Sequence, residues 1–269
     1  MSFFIYQGKS IYYEEIGDGT PLLFLHGNAV SSRMFENIIK FYKDQNKVIL
    51  FDFLGHGQSD RLSKFPADLW YDQALQVIAF LKAKDYKKIN IIGCGGGAIA
   101  AINVALEAPE LVNAVIADSF NGKVASDKIA ASITNERVCS KDKLHFKTFY
   151  EHMHGDDWEH VLNCDTDAVQ EHCKNIRTYF HKTLKEYKPK LLMTGSKKDE
   201  LSFSCGTNFY RNTYIEMIRT IGHGQMHIFW YGNYPSAISN DKRFAKLSRA
   251  FFNKLTVGQP CEKKADTSE

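Results

Sequence analysis

Residues 89–100 read Ile-Asn-Ile-Ile-Gly93-Cys94-Gly95-Gly96-Gly97-Ala-Ile-Ala100. A short apolar run, four glycines within five residues and an alanine-rich stretch to about Glu107 predict a buried strand that turns sharply into a helix. Downstream, Val112 to Ala117 is a further apolar run. Upstream, Ala67 to Lys84 carries Leu69, Ala74, Val77, Ile78 and Leu81 at helical spacing, and Lys47 to Phe53 is again apolar. A helix is predicted around Ser32 to Tyr42, and Pro21 to Leu25 is a continuous apolar strand. Phe3 to Gln7 and Ile11 to Ile16, joined at Gly8-Lys9, read as an opening hairpin. Strands that are apolar along their whole length, separated by helices, belong to parallel sheets covered on both faces. The fold class is therefore α/β, a doubly wound, mostly parallel sheet.

Past Asn121 the pattern changes. Residues 121–187 are helical and polar with scattered aromatics (Phe146, Phe149, Tyr150, Trp158) and no strand. The sheet resumes at Lys190 to Thr194, a helix is predicted over Phe209 to Thr220, Met226 to Tyr231 is the last strand, and Pro235 to Leu255 closes the chain as a helix. Counted in this way the sheet has eight strands. Residues 1–120 and 188–257 form one core, 121–187 a helical insertion, and 258–269 a polar, disordered tail.

The chain has 269 residues, 34 Lys and Arg against 31 Asp and Glu, and a formal charge of +3. The basic residues are scattered, which argues against nucleic acid as a partner. No stretch approaches the roughly 20 apolar residues of a membrane span, and the first residues lack a secretory pattern, so a cytoplasmic protein is expected, monomeric or homodimeric. The six cysteines, Cys94, Cys139, Cys164, Cys173, Cys205 and Cys261, form no CxxC pair and read as free thiols.

His26-Gly27-Asn28 follows the third strand, and Asp52-Phe-Leu-Gly55-His-Gly57-Gln-Ser59 follows the fourth. Together with the glycine turn at 93–97, these motifs resemble the α/β-hydrolase superfamily in order, spacing and context over nearly the whole chain. The resemblance implies a serine-hydrolase ancestry, a small helical cap at 121–187, and a small ester, thioester, amide or lactone as substrate. It also implies a nucleophile elbow of the form G-x-nucleophile-x-G. On Gly93 to Gly97 this frame places the nucleophile at Gly95, which has no side chain. Slipping the frame by one makes Cys94 the alternative nucleophile, with Ile92 at a position that needs a small residue.

In the family the catalytic histidine follows the last strand. Gly232-Asn233 is that turn here, so the position falls on Tyr234, with Phe244 ten residues on (244 − 234 = 10). His223, in Gly222-His223, is an alternative base that precedes the last strand. Asp199, or second Glu200, corresponds to the triad acid, paired with the Tyr234 hydroxyl or solvated. The backbone amides of Asn28 and Gly96 match the oxyanion-hole positions.

His152, His154, His160, Asp156 and Asp157 are the densest group of potential ligands, but their spacing fits no zinc or facial-triad site, so neither metal nor cofactor is expected. The glycine turn lacks the Lys-Ser/Thr of a P-loop. Three readings stay open: a hydrolase by descent that is inactive with Gly95 and Tyr234; a non-catalytic relative binding a small acyl or lactone ligand or a protein; and a chemistry in which Tyr234 is acid or base.

Overall fold

In a computed structural model, which describes residues 2–256, eight strands form one sheet. They are β1 (Ser2–Tyr6), β2 (Lys9–Ile16), β3 (Thr20–Leu25), β4 (Asn46–Phe51), β5 (Ile89–Cys94), β6 (Val112–Asp118), β7 (Lys190–Ser196) and β8 (Gln225–Phe229), in the spatial order β1-β2-β4-β3-β5-β6-β7-β8. The opening hairpin is antiparallel, β2 runs antiparallel to β4, and the remaining pairs are parallel. The strand order reverses beside β3, so the loops leaving β3 and β5 meet at one edge of the sheet. Ligands of open α/β sheets gather at such a switch point.

The unbroken apolar runs of the central strands divide by pleat. Leu23, Leu25, Ile49, Phe51 and Ile91 face one packed layer, and Leu22, Phe24, Val48, Leu50 and Ile92 face the other. Burial of each such side chain is worth about 1.5–3 kcal/mol. The first layer is covered by α1 (Leu69–Ala83) and α2 (Gly96–Glu107). Between β6 and β7 come α3 (Asp127–Ser140), α4 (Leu144–His154) and α5 (Trp158–Asn175), the three α-helices of the 121–187 segment.

Two expected elements differ and one helix was not expected. Ser32 to Tyr42 forms two 3-10 turns, Ser32–Phe35 and Ile39–Phe41, instead of one helix. Asp52 accepts from the Ser32 amide at 2.7 Å and fixes the chain locally in place of a helical ladder. A helix the sequence pattern misses, α6 (Glu200–Cys205), follows β7 and precedes α7 (Phe209–Ile221). The closing segment is broken into α8 (Ser236–Ser239) and α9 (Asp241–Thr256), because the Ser236 and Ala237 end of α8 is tied to Asp118. The tail at 258–269, with Cys261, lies outside the described residues; the other five cysteines are unpaired. Among the described residues no helix is long and apolar enough to cross a membrane.

Candidate active site

The turn from β5 into α2 is set by glycines that admit no side chain. A Cβ on Gly93 would lie 2.2 Å from the Gly97 carbonyl oxygen, and one on Gly97 would lie 2.2 Å from that of Leu25 and 2.4 Å from that of His26. These are backbone atoms and cannot give way, so residues 93 and 97 are the obligatory small positions. They stand two residues to either side of Gly95, which has φ 55° and ψ −116°, a conformation that costs a side-chain-bearing residue about 1–3 kcal/mol. The Gly95 amide donates to the Asp118 carbonyl at 2.8 Å, and the Gly95 carbonyl accepts from Ala98 and Ile99.

Cys94 lies within β5 with its side chain in the layer shared with Ile92 and Phe244 and is 1% exposed. Burial and then the Asp118 carboxylate push its thiol well above the usual range, the opposite of what a thiolate nucleophile requires.

Tyr234 reaches the elbow from the loop after β8. A Cβ built on Gly95 would sit 2.1 Å from the Tyr234 hydroxyl oxygen and 3.3 Å from Cζ. The phenol head thus occupies the volume that a side chain at residue 95 would need. The outer part of the ring stays open, leaving the residue 43% exposed, while burial of the hydroxyl and then the surrounding Cys94 and Asp118 push its pKa far up. A neutral phenol is the stable form there.

The loop that carries Tyr234 is fixed from three sides. Its amide donates to Glu200 Oε2 at 2.8 Å. The Ser236 amide donates to Ser119 Oγ at 2.8 Å. The wholly buried Asp118 carboxylate accepts from the Ser236 hydroxyl, from Thr194 Oγ1 at 2.6 Å and from the Ala237 amide at 2.8 Å. Burial raises the Asp118 pKa to about 6 against the lowering effect of those donors.

The expected partner of Asp199 needs correction. Asp199 is buried and caps α6, accepting from the Ser202 amide at 2.8 Å, and its other oxygen accepts from the Tyr210 hydroxyl at 2.7 Å. It is therefore neither solvated nor hydrogen-bonded to Tyr234; the tyrosine it holds is Tyr210, 11 residues away on the next helix. His223 precedes β8 and bonds through Nε2 to the Tyr187 carbonyl at 3.1 Å, at the end of the sheet opposite the elbow.

Gly96 opens α2, so its amide has no intrahelical acceptor. The Asn28 side chain lies over it: a Cβ on Gly96 would be 2.2 Å from Asn28 Oδ1 and 2.6 Å from Trp70 Nε1. Trp70 Nε1 donates to Asn28 Oδ1 at 3.2 Å, and Asn28 Nδ2 donates to Asp165 Oδ2 at 3.0 Å. Asp165, on α5, also accepts from the Ala29 amide at 3.1 Å and from Arg137 Nη2 of α3 at 2.8 Å. Burial opposes its charge, but Arg137 and His56 outweigh that and hold its carboxyl well below the usual range. This buried pair clasps the 121–187 helices to the His26-Gly27-Asn28 loop.

The histidines nearby are spent on structure. His26 donates through Nδ1 to the Gly27 carbonyl and accepts at Nε2 from the Phe53 amide; burial keeps it neutral. His154 accepts at Nδ1 from the Gly57 amide at 3.0 Å and donates from Nε2 to the Ala29 carbonyl at 2.9 Å. His152 bonds to Glu36 and His160 to the Leu62 carbonyl, so the dense 152–160 group points in separate directions. In the Asp52–Ser59 loop, Asp52 accepts from the Ser32 and Gln58 amides and acts as a brace.

Sequence reasoning missed Asp118, Tyr210, Asp165 and Arg137. Asp118 alone had a visible signal, a carboxylate ending an apolar strand; the others meet their partners only through the tertiary fold.

A mostly parallel eight-stranded sheet with a glycine elbow at its switch point defines the α/β-hydrolase class. A family model described as alpha/beta hydrolase fold matches residues 20–147. A haloalkane dehalogenase of Agrobacterium fabrum is 31% identical over 140 residues, 51% of this chain and 43% of that enzyme. The chain thus aligns with less than half the length of this and other curated hydrolases. Among solved structures, a serine hydrolase involved in carbazole degradation superposes with a TM-score of 0.73 at 18% identity, covering 94% of this chain and 98% of that one. E-2-(acetamidomethylene)succinate hydrolase superposes at 0.70 with 15% identity, covering 94% and 100%. The family model covers just under half of the chain, and the likeness to these structures shows that the chain has the α/β-hydrolase fold.

Proposed function

We propose that this protein is a serine hydrolase by descent whose elbow has been closed, and that it does not turn over esters, thioesters, amides or lactones with Gly95 and Tyr234 in place. The observation that carries the reading is the Tyr234 hydroxyl, 2.1 Å from the point where a residue-95 Cβ would stand. Glycine at residue 95 and tyrosine at residue 234 are thereby mutually dependent: the first makes room for the second. A base at Tyr234 is disfavoured, since burial drives its pKa further from neutrality. Asp199, committed to Ser202 and Tyr210, has no histidine to orient.

The same contacts argue against a small acyl or lactone ligand resting at the elbow of the unmodified chain, because the Tyr234 phenol and the Asn28 carboxamide fill the space in front of Gly95 and Gly96. The Asn28 and Gly96 amides remain the oxyanion donors that a restored site would use.

The test compares p-nitrophenyl acetate and butyrate hydrolysis by the unmodified chain with that of the Gly95→Ser, Tyr234→His double variant, with a fluorophosphonate probe to locate any adduct. We expect no turnover and no labelling of the unmodified chain. Turnover with an adduct on Cys94 would overturn the proposal in favour of a cysteine hydrolase.

A further inference from the structure

Away from the elbow, a recess of about 180 Å³ opens between the ends of β7 and β8 and the start of α7. Lys197, Ile228 and Trp230 line it from the strand side, and Asn208, Tyr210 and Arg211 from the helix side. The Lys197 amide donates to the Phe229 carbonyl at 2.8 Å, which fixes that residue beside the end of β8. Its ammonium lies over the Trp230 ring, 4.0 Å from the centroid. The indole is nonetheless 57% exposed.

Two features of this recess call for a ligand. The first is charge: among the described residues neither Lys197 nor Arg211 has a carboxylate within ion-pair distance, whereas Lys123, on the loop after β6, pairs with Glu216 of the same helix as Arg211. The Asp199 carboxylate, behind Tyr210, is already occupied by the Tyr210 hydroxyl and the Ser202 amide. The second is shape: between the cations the recess is lined by the exposed indole of Trp230 and by Ile228, with the buried Tyr210 beneath them. An apolar cavity of about 150 Å³ accommodates benzene, so this recess has room for one aromatic ring with a substituent.

We propose that the recess binds an oxyanion carried on an aromatic ring, an aryl carboxylate or aryl phosphate, with Lys197 and Arg211 holding the anion and Trp230 stacking on the ring. Arginine and lysine act differently here: the guanidinium fork of Arg211 can take two oxygens, and the Lys197 ammonium is a point charge already poised over the indole. The inference does not depend on whether the elbow is catalytic.

The test is calorimetric and fluorescence titration of the whole chain with benzoate, phenylphosphonate, inorganic phosphate and benzyl alcohol. We expect saturable binding of benzoate or phenylphosphonate, the tighter of the two identifying the anion class, accompanied by a change in tryptophan emission. Inorganic phosphate and benzyl alcohol should bind at least about tenfold more weakly. Lys197→Gln and Arg211→Gln should each weaken binding about tenfold, the equivalent of 1.4 kcal/mol. Trp230→Leu should abolish the emission change, and Lys87→Gln, a distant exposed cation, should leave binding unaltered. Lys87, Arg211 and Trp230 are exposed and Lys197 is half-buried, so circular dichroism should match the unmodified chain. No saturable binding, equal binding of inorganic phosphate or of benzyl alcohol, or binding indifferent to Lys197 and Arg211 would each overturn the proposal.

Discussion

A single oxygen atom decides whether residue 95 can carry a side chain, and a double-mutant cycle on Gly95→Ala and Tyr234→Phe isolates it. In the Tyr234 background the new methyl would stand 2.1 Å from the hydroxyl oxygen and 3.3 Å from Cζ. The second distance is tight but tolerable, so deleting the oxygen removes nearly all of the overlap. The positive φ of 55° penalises alanine equally in both backgrounds, by about 1–3 kcal/mol, and cancels in the cycle. What survives is the overpacking term, about 1–3 kcal/mol. Gly95→Ala should therefore cost about 2–6 kcal/mol with tyrosine present, the sum of strain and overpacking, and about 1–3 kcal/mol with phenylalanine present. Tyr234→Phe alone should be near neutral, because among the described residues no hydrogen bond holds the hydroxyl. Urea unfolding of the four proteins measures the coupling. Additivity within about 0.5 kcal/mol, the behaviour of non-contacting sites, would refute the claim that the phenol occupies the nucleophile volume, and with it the basis for a closed elbow.

Further outcomes follow from the network around the elbow. Arg137→Ala removes the guanidinium that pairs with the buried Asp165 and should destabilise the fold by about 3–5 kcal/mol in urea unfolding; an effect under about 1 kcal/mol would show the clasp to be unimportant. Gly97→Ala drives a methyl against the Leu25 and His26 carbonyls and should reduce soluble yield or Tm sharply, whereas Gly155→Ala, with open space around it, should cost only backbone strain. His154 has its pKa lowered from 6.5 to about 3, burial being the main cause. The unfolded chain takes up that proton first, so stability should fall as pH drops from 6.5 toward 3, and His154→Asn should flatten the slope whatever its absolute stability. Asp118 acts oppositely: with its pKa raised to about 6, the folded chain protonates first, and its contribution to stability grows as pH falls from about 6 to about 4. Asp118→Asn should therefore steepen the acid loss; an unchanged slope would mean that Asp118 does not titrate in that window.

The amino-acid sequence by itself determined the sheet and the frame of the elbow. Unbroken apolar runs at 22–25, 48–51 and 114–117 could be buried only on both faces, and that forced a parallel sheet with helical layers. The glycines at 93 and 97 located residue 95 because their constraint is local: each Cβ would strike backbone within the turn or on the adjacent strand. Tertiary structure alone decided what occupies the elbow. Tyr234 meets Gly95 across β6 and β7, Asn28 meets Asp165 across the 121–187 helices, and Asp199 finds Tyr210 instead of Tyr234 because α6 turns the acid toward α7. None of these pairings leaves a periodicity in the chain. Each depends on which loops the strand order brings together and on which hydroxyl reaches a buried carboxylate first.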